Sequence, residues 1–392
     1  MPLKLTPRLA RQVNKSVRTS CANYVNGNCL LLDDGDSHPC VQLLSIRWLY
    51  CNYLEKYVLP ADKELYENII KFNQNKISCF IMKSYNDKVI IGIDHGYGNI
   101  KTANHYFPTG ITAHDSEPLF TKDMLIYNGK YYLIGEGHKE FLPEKQNDED
   151  YYVLTLAAIA TELTDEGLTE ADVIIAAGLP LTWTSGQKAA FAIYLSKNKE
   201  VEFTFRNVDY HIRISDVKIY PQGYSAVVPI KSTLKGLSMV AGIGNGTMNT
   251  LYLVNGRPQS GKMFTEKFGT YQCTLAIREG FMRKTRRELN DFIIDEVLRT
   301  GTADIPDSDL EIITAIAEEY VTEIFRRLRE HGYDESTMKL CVCGGGGCLI
   351  RNFYRGDLDR VKFIDDICAA AKGYEYLADV YLRAEAKNEG RV

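Results

Sequence analysis

Three apolar runs in this chain each end in a glycine-rich turn, and the order of those turns constrains the fold more than any other feature. The first reads Val89-Ile-Ile-Gly-Ile-Asp94-His-Gly96-Tyr-Gly98-Asn99-Ile-Lys101. A β-branched strand enters a tight turn whose glycines let backbone N–H groups come close to an anion. Asp94, at the strand end, can hold a hydrated Mg²⁺, and Lys101 adds a point charge for phosphate. The second run, Leu237-Ser-Met-Val-Ala-Gly242-Ile-Gly244-Asn245-Gly246-Thr247-Met-Asn249, repeats the layout far downstream and is followed by a departing strand. The third, Leu340-Cys-Val-Cys343-Gly344-Gly-Gly-Gly347-Cys-Leu-Ile350, sets four glycines after a strand. That composition suits close packing against a flat ligand such as adenosine, or a flexible loop. One acid before a glycine turn also fits a bare hairpin. All three in this order fit a clamp around a triphosphate.

Around these turns, short β-branched runs alternate with amphipathic stretches, the α/β pattern. The sequence predicts strands at 89–93, 131–134, 173–177, 217–220, 238–243, 250–254 and 340–343. It predicts helices at 152–164, 185–196, 271–285, 286–299, 309–331 and 367–386. Residues before Val89 have another texture. Leu9, Val13 and Val17 recur at helical spacing, a turn-rich stretch follows, and helical patterns return over Leu43–Tyr57 and Lys63–Phe72. The polar stretch Ser84 to Lys88 marks the boundary between the two textures.

A net charge of −5 gives the molecule as a whole no bias toward nucleic acid, and no apolar stretch is long enough to span a membrane. The N-terminus lacks a signal-peptide core. Its basic, acid-free first 20 residues share the composition of a transit peptide, but the cysteine-rich segment follows without a break. Cysteines fall before residue 80 (Cys21, Cys29, Cys40, Cys51, Cys79) or after 272, with none between. Without a secretion signal, such a cluster reads as metal-binding or as buried thiols rather than disulfides.

From Val89 to about Glu385 the chain resembles the superfamily of actins, sugar kinases and seventy-kilodalton chaperones. Asp94–Lys101 is similar to its first phosphate motif, Gly242–Asn249 to its second, and Gly344–Ile350 to its adenosine motif. Within it, Gly178-Leu-Pro-Leu181, Pro221-Gln222-Gly223, the segment from Glu266 to Leu275, and Ala371-Lys-Gly-Tyr-Glu-Tyr376 resemble ParM-type plasmid-segregation actins. The resemblance implies two lobes around a cleft for ATP (or GTP) and Mg²⁺, and polymerisation into filaments. It implies that Asp94 holds the metal through water and that Gly96, Tyr97, Gly98, Asn99 and Lys101 line the phosphates, as do Gly244, Asn245, Gly246 and Thr247. Gln222 would orient the attacking water; as a plain residue between Pro221 and Gly223 it also fits a turn. Arg278 and Glu279 would meet ribose and base, and Gly344, Gly345 and Gly346 would cover the adenosine. One departure stands out. The second motif usually opens with Asp, and here the position is Gly242; Asn249 likewise replaces a frequent second acid. The loss of an outer metal partner costs on the order of 10–100-fold in affinity or activity, so binding is expected to outlast brisk turnover.

Cys21, Cys29, Cys40 and Cys51, with Val58-Leu-Pro60, resemble the family of cysteine-rich VLP proteins over residues 5 to about 80. The spacings differ from the paired C-x-x-C of most zinc folds. Two readings stand for these four: ligands of zinc or an iron–sulfur cluster, or buried structural thiols. Cys341, Cys343 and Cys348 read as packing. The basic first helix reads as a solvated face or as a nucleic-acid contact.

The expected architecture is α/β: a two-lobed actin-like (ribonuclease H-like) ATPase fold with a small, mostly helical cysteine-rich module. Its parts are a module at 1–83, lobe I at 88–240, lobe II at 241–365 and a C-terminal helix at 366–392 returning to lobe I. The expected function is an actin-like ATPase of the bacterial cytoplasm that assembles with itself and segregates plasmid DNA. A DNA-binding adaptor of the ParR type would link it to DNA, since the actin-like part is not basic. The alternatives are a small-molecule kinase of the same superfamily, for which no sugar-binding signature is present, and a nucleotide-locked scaffold with weak hydrolysis.

Overall fold

A computed structural model of the chain describes residues 3–5, 7–32, 38–45, 48–70, 82–119, 123–136, 149–180, 182 and 184–388. Two compact units divide it, Met1–Ile81 and Met82–Val392.

The first unit carries β1 (Leu3–Lys4), α1 (Pro7–Ser20), β2 (Tyr24–Val25), β3 (Asn28–Cys29), α2 (Val41–Leu44), β4 (Trp48–Leu49) and a helix over 63–70, α3. β1 pairs with β4 and β2 with β3. Its small core gathers Leu9, Val13 and Val17 of α1 with Cys29, Cys40, Leu49, Leu54, Leu59 and Ile69. The helix expected over Leu43–Tyr57 is broken. α2 stops at Leu44, β4 intervenes, and a π-helical turn runs from Leu54 to Val58. Pairing of Trp48 and Leu49 with β1 wins over the helical pattern there. Cys79 and residues 71–72 of the expected last helix lie outside the described residues.

The second unit runs β5 (Lys83–Tyr85), β6 (Lys88–His95), β7 (Asn99–Lys101), β8 (Tyr106–Pro108), β9 (Ile111–His114), β10 (Met124–Tyr127), β11 (Lys130–Ile134), α4 (Glu149–Glu166), β12 (Glu170–Leu179), α5 (Thr184–Leu195), β13 (Glu200–Phe205), β14 (Val208–Pro221) and α6 (Tyr224–Val227). It continues with β15 (Leu237–Ile243), β16 (Met248–Val254), β17 (Arg257–Glu266), α7 (Thr270–Thr285), α8 (Asp291–Thr300), α9 (Asp307–Glu330), β18 (Lys339–Cys343), α10 (Gly346–Phe353), β19 (Val361–Ile364) and α11 (Ala369–Asn388). The expected boundary at Ser84–Lys88 is a hairpin turn inside this unit. Asn86 and Asp87 take positive φ there, and Tyr85 pairs with Lys88.

Two sheets define two lobes. The first runs β8-β7-β6-β12-β14-β13-β10-β11-β9, with β5 also on β6; β6, β12 and β14 are parallel. The second runs β17-β16-β15-β18-β19, with β15, β18 and β19 parallel. Both parallel cores are continuous apolar runs such as Val173–Ala177 and Leu340–Val342, as strands buried on two faces require. The fully buried face of α4 from Tyr151 to Ala160 fills the core of the first lobe, and α7 and α9 fill that of the second. An expected division at 240/241 would cut β15, so the sheets part before Leu237 instead. The helix expected from Arg286 starts later. Arg286 is left-handed and ends α7, and Asn290 caps α8 by accepting the Phe292 N–H.

α11 returns to the first lobe and lies on β6, β12 and α6. A Cβ at Gly373 would sit 1.9 Å from the Ser225 carbonyl oxygen, and one at Gly92 2.1 Å from that of Ala371. Only glycine lets these backbones approach so closely.

Candidate functional site

β6 delivers Asp94 to the end of the parallel core, where it is buried. Three donors hold its carboxylate. Lys101 Nζ, from the paired strand β7, lies 3.0 Å from Oδ2. Gln222 Nε2, from the segment leaving β14, donates to Oδ1 at 3.1 Å, and the Tyr374 hydroxyl of α11 donates to the same oxygen at 3.4 Å. Lobe I, the connecting segment and the returning helix thus converge on one carboxylate.

The turn after Asp94 is braced from behind. Thr109 Oγ1 donates to the Gly96 carbonyl at 2.9 Å, and the Thr109 N–H to the Gly98 carbonyl at 3.1 Å. A Cβ at Gly96 would come within 2.5 Å of the Asn99 carbonyl oxygen. Under the turn, the buried ring of His95 shares a hydrogen bond of 2.8 Å with Thr155 Oγ1. Burial pushes the Tyr97 phenol well above its ordinary range.

The second turn, between β15 and β16, closes on itself by the Gly244 N–H to the Thr247 carbonyl (2.9 Å). α7 begins against it: the N–H groups of Thr270 and Tyr271 donate to the carbonyls of Gly244 and Asn245 at 2.9 and 3.0 Å. The two turns face each other, since a Cβ at Gly98 would lie 2.4 Å from Asn245 Nδ2. Asn249, buried where an acid is frequent, donates to Thr247 Oγ1 (3.3 Å) and accepts from Thr265 Oγ1 (2.8 Å). The missing side chain of Gly242 would point at the connecting segment, its Cβ 3.3 Å from Gly223 Cα and 3.5 Å from Cys343 Sγ.

The third glycine cluster is a strand–helix junction. Gly344 takes φ +85° over the Ile243 carbonyl, and buried Gly346 packs on the Ile243 side chain. Gly344 and Gly345 are exposed, and Gly345 faces Thr270 at the start of α7. Arg278 and Glu279 lie about 12 Å further along that helix. There Arg278 forms a two-pronged ion pair with Asp291 of α8, at 2.5 and 2.6 Å. With Leu275 and Met282 they border an open groove of about 770 Å³ that none of the glycines lines. The structure brings together Asp94, Lys101, Gln222 and the two turns, while Arg278 and Glu279 lie further along the helix whose first residue, Thr270, faces Gly345.

Tyr374, Thr109 and Thr265 were not singled out from sequence. Tyr374 had one signal: a Cβ at Gly178 would lie 2.0 Å from its hydroxyl, so the small residue in Gly178-Leu-Pro-Leu and the tyrosine in the late motif are two halves of one contact. The residues present suit Mg²⁺ with a triphosphate: an oriented carboxylate, an adjacent lysine, and two opposed turns from which glycine excludes side chains.

In the first unit, Cys21, Cys29, Cys40 and Cys51 all join or border the core. Burial raises the Cys21 thiol, and the other three thiols add to the effect. The Cys51 sulfur accepts the Leu54 N–H at 3.4 Å. Among the described residues no group of three or more His, Cys, Asp or Glu is placed to hold a metal ion, so the zinc or iron–sulfur expectation finds no support there. Cys341 and Cys343 are buried, Cys348 partly so, and burial pushes the Cys343 thiol up to about 12. No described helix is long and apolar enough to cross a membrane.

Residues 92–224 match the family described as actin like proteins N terminal domain, and residues 2–72 the family described as cysteine-rich VLP. No curated protein matches the chain in sequence. Among solved structures, the archaeal actin homolog Ta0583, also known as a complex with ADP, is 19% identical with a TM-score of 0.61, covering 74% of this chain and 99% of its own. ParM in a 15-stranded filament from Clostridium botulinum is 19% identical with a TM-score of 0.61, covering 75% and 99%. The apo pSK41 ParM protein is 16% identical with a TM-score of 0.57, covering 76% and 99%. The chain therefore joins a cysteine-rich VLP segment to a two-lobed actin-like fold.

Proposed function

We propose that the second unit is a nucleotide-dependent, filament-forming ATPase that positions DNA, a plasmid being the cargo, in the bacterial cytoplasm. The observation that carries this reading is the convergence at Asp94: a lysine from the first turn, a glutamine from the segment between lobes, and a second turn touching the first at Gly98 and Asn245. When bound, Mg²⁺ supplies charge neutralisation at the phosphates. Asp94 would hold it through water, and Lys101, now on that carboxylate, would be the charge available to a phosphate oxygen. Residues 96–99 and 244–247 line the phosphates, Gln222 orients the attacking water, and Gly344 and Gly345 lie at the adenosine. Arg278 is drawn into the ribose site only by giving up Asp291. With Gly242 in place of an acid, hydrolysis is slow and filaments are long-lived. Self-association is the primary partnership, and a DNA-binding adaptor of the ParR type links the filament to DNA.

Light scattering and sedimentation on addition of ATP–Mg²⁺ or GTP–Mg²⁺ test this. Pelletable polymer at tens of micromolar protein is expected. Absence of polymer with every nucleotide overturns the reading, and turnover that depends on an added sugar or alcohol replaces it with a kinase.

A further inference from the structure

The charge of this chain is divided unevenly. The first unit holds ten basic and seven acidic residues, a net of +3, which leaves −8 on the second. Within the first unit the division is sharper. Lys4, Arg8, Arg11, Lys15 and Arg18 precede every acid, and the acids begin at Asp33.

α1 concentrates this charge on one face. Leu9, Ala10, Val13 and Val17 are buried in the core. Arg11, Gln12, Lys15, Arg18 and Thr19 are exposed and fall within an arc of about 120° on the opposite side. The helix itself carries no acid, so Lys15 and Arg18 have no anionic neighbour along it at i±3 or i±4. Its 14 residues make a rod about 21 Å long. The B-DNA major groove, roughly 12 Å wide, admits such a rod, whereas the major groove of duplex RNA is too narrow to be read. The residue types also fit. Arg and Lys neutralise phosphates, and Arg, Gln and Thr are side chains that read base edges. The face carries no aromatic ring on which single-stranded bases would stack.

We infer that the exposed face of α1 binds duplex DNA, so that the first unit gives the chain a DNA contact of its own besides any adaptor. The inference rests on the first unit alone and needs neither nucleotide nor polymer. An anionic membrane is the competing surface for a basic amphipathic helix, but here the apolar face is already buried in the core.

Fluorescence anisotropy of the full chain with a labelled duplex, in nucleotide-free buffer across a salt series, tests it. Binding at about 50 mM salt is expected, weakening steeply as salt rises. Arg11→Ala/Lys15→Ala/Arg18→Ala should bind at least about tenfold more weakly and flatten the salt slope by roughly 2–3 units. Arg11→Lys/Arg18→Lys should keep the slope. Circular dichroism must show both variants folded, as substitution of exposed helical positions by Ala predicts. No duplex binding by the parent at tens of micromolar overturns the inference, as does equal binding by the folded triple variant. Binding to phosphatidylglycerol vesicles without binding to duplex also overturns it. Nucleotide-driven assembly, scored by light scattering without DNA, stands or falls separately.

Discussion

Glu375 lies in α11 directly over β6, buried, with Oε1 accepting the Gly92 N–H at 3.1 Å. Burial is the main reason its carboxyl rises from an ordinary 4.5 to about 8; the Gly92 hydrogen bond opposes the shift and the charge of Glu162 adds to it. Below pH 4.5 folded and unfolded chains are both protonated here, and the group contributes its full stability. As pH rises toward 8, the unfolded chain ionises first and that stability is lost. Each unit of difference is worth about 1.4 kcal/mol, so between pH 5 and pH 8 the loss amounts to roughly 3 kcal/mol. Glu375→Gln keeps an acceptor for Gly92 and stays neutral throughout. Urea unfolding of both proteins at pH 5, 6, 7 and 8 should give near-equal stabilities at pH 5 and a widening advantage of the Gln variant, to about 3 kcal/mol at pH 8. Effects of the first unit cancel between variants. A gap that does not change with pH would refute the argument that this carboxyl folds as the acid.

Gln222→Ala should lower ATP hydrolysis about a hundredfold with little change in nucleotide affinity; phosphate release and fluorescent-nucleotide titration read the two quantities. Gly242→Asp should raise hydrolysis by about 10–100-fold, at the cost of moving Gly223 by a few tenths of an ångström. Gly242→Ala carries the same crowding without the carboxylate and should not accelerate, so equal rates in the Asp variant and its parent would remove Gly242 from the catalytic account. Tyr374→Phe keeps the ring against Gly178 but removes the hydroxyl from Asp94. The Mg²⁺ concentration for half-maximal activity should rise up to about tenfold, with a stability loss of about 1 kcal/mol.

Much of the second unit could be read from period and punctuation. The runs at 89–93, 173–177 and 340–343 are strands because buried parallel strands are apolar throughout, which leaves an unambiguous trace. Strands such as Tyr106–Pro108, Ile111–His114 and Glu200–Phe205 were missed. They are short or carry polar residues on one face, and pairing rather than composition makes them strands. The pattern over Arg286–Arg299 hides a break, because Arg286 is a good helix former with a left-handed backbone; the local signal for the true start is Asn290 before Asp291, a favoured cap followed by an acid in the first turn. At the site, Asp94, Lys101 and the glycines announced themselves by spacing. Tyr374 did not, because its meaning depends on Gly178 and Asp94, which lie far away in sequence. The place of Arg278 and Glu279 at the ribose and base comes from the resemblance alone, and the sequence gives no sign that Asp291 pairs with the guanidinium.

The distance along the chain between Asp94 and its last donor has a consequence for synthesis. Tyr374 follows Asp94 by 280 residues, and Gln222 by 128. At about 5–20 residues per second, a ribosome needs roughly 15–60 s to span the longer gap. Throughout that time the first turn exists without the hydroxyl that completes its carboxylate, and β6 lacks the helix that covers Gly92. A nascent chain therefore cannot close its first lobe until α11 has left the ribosome.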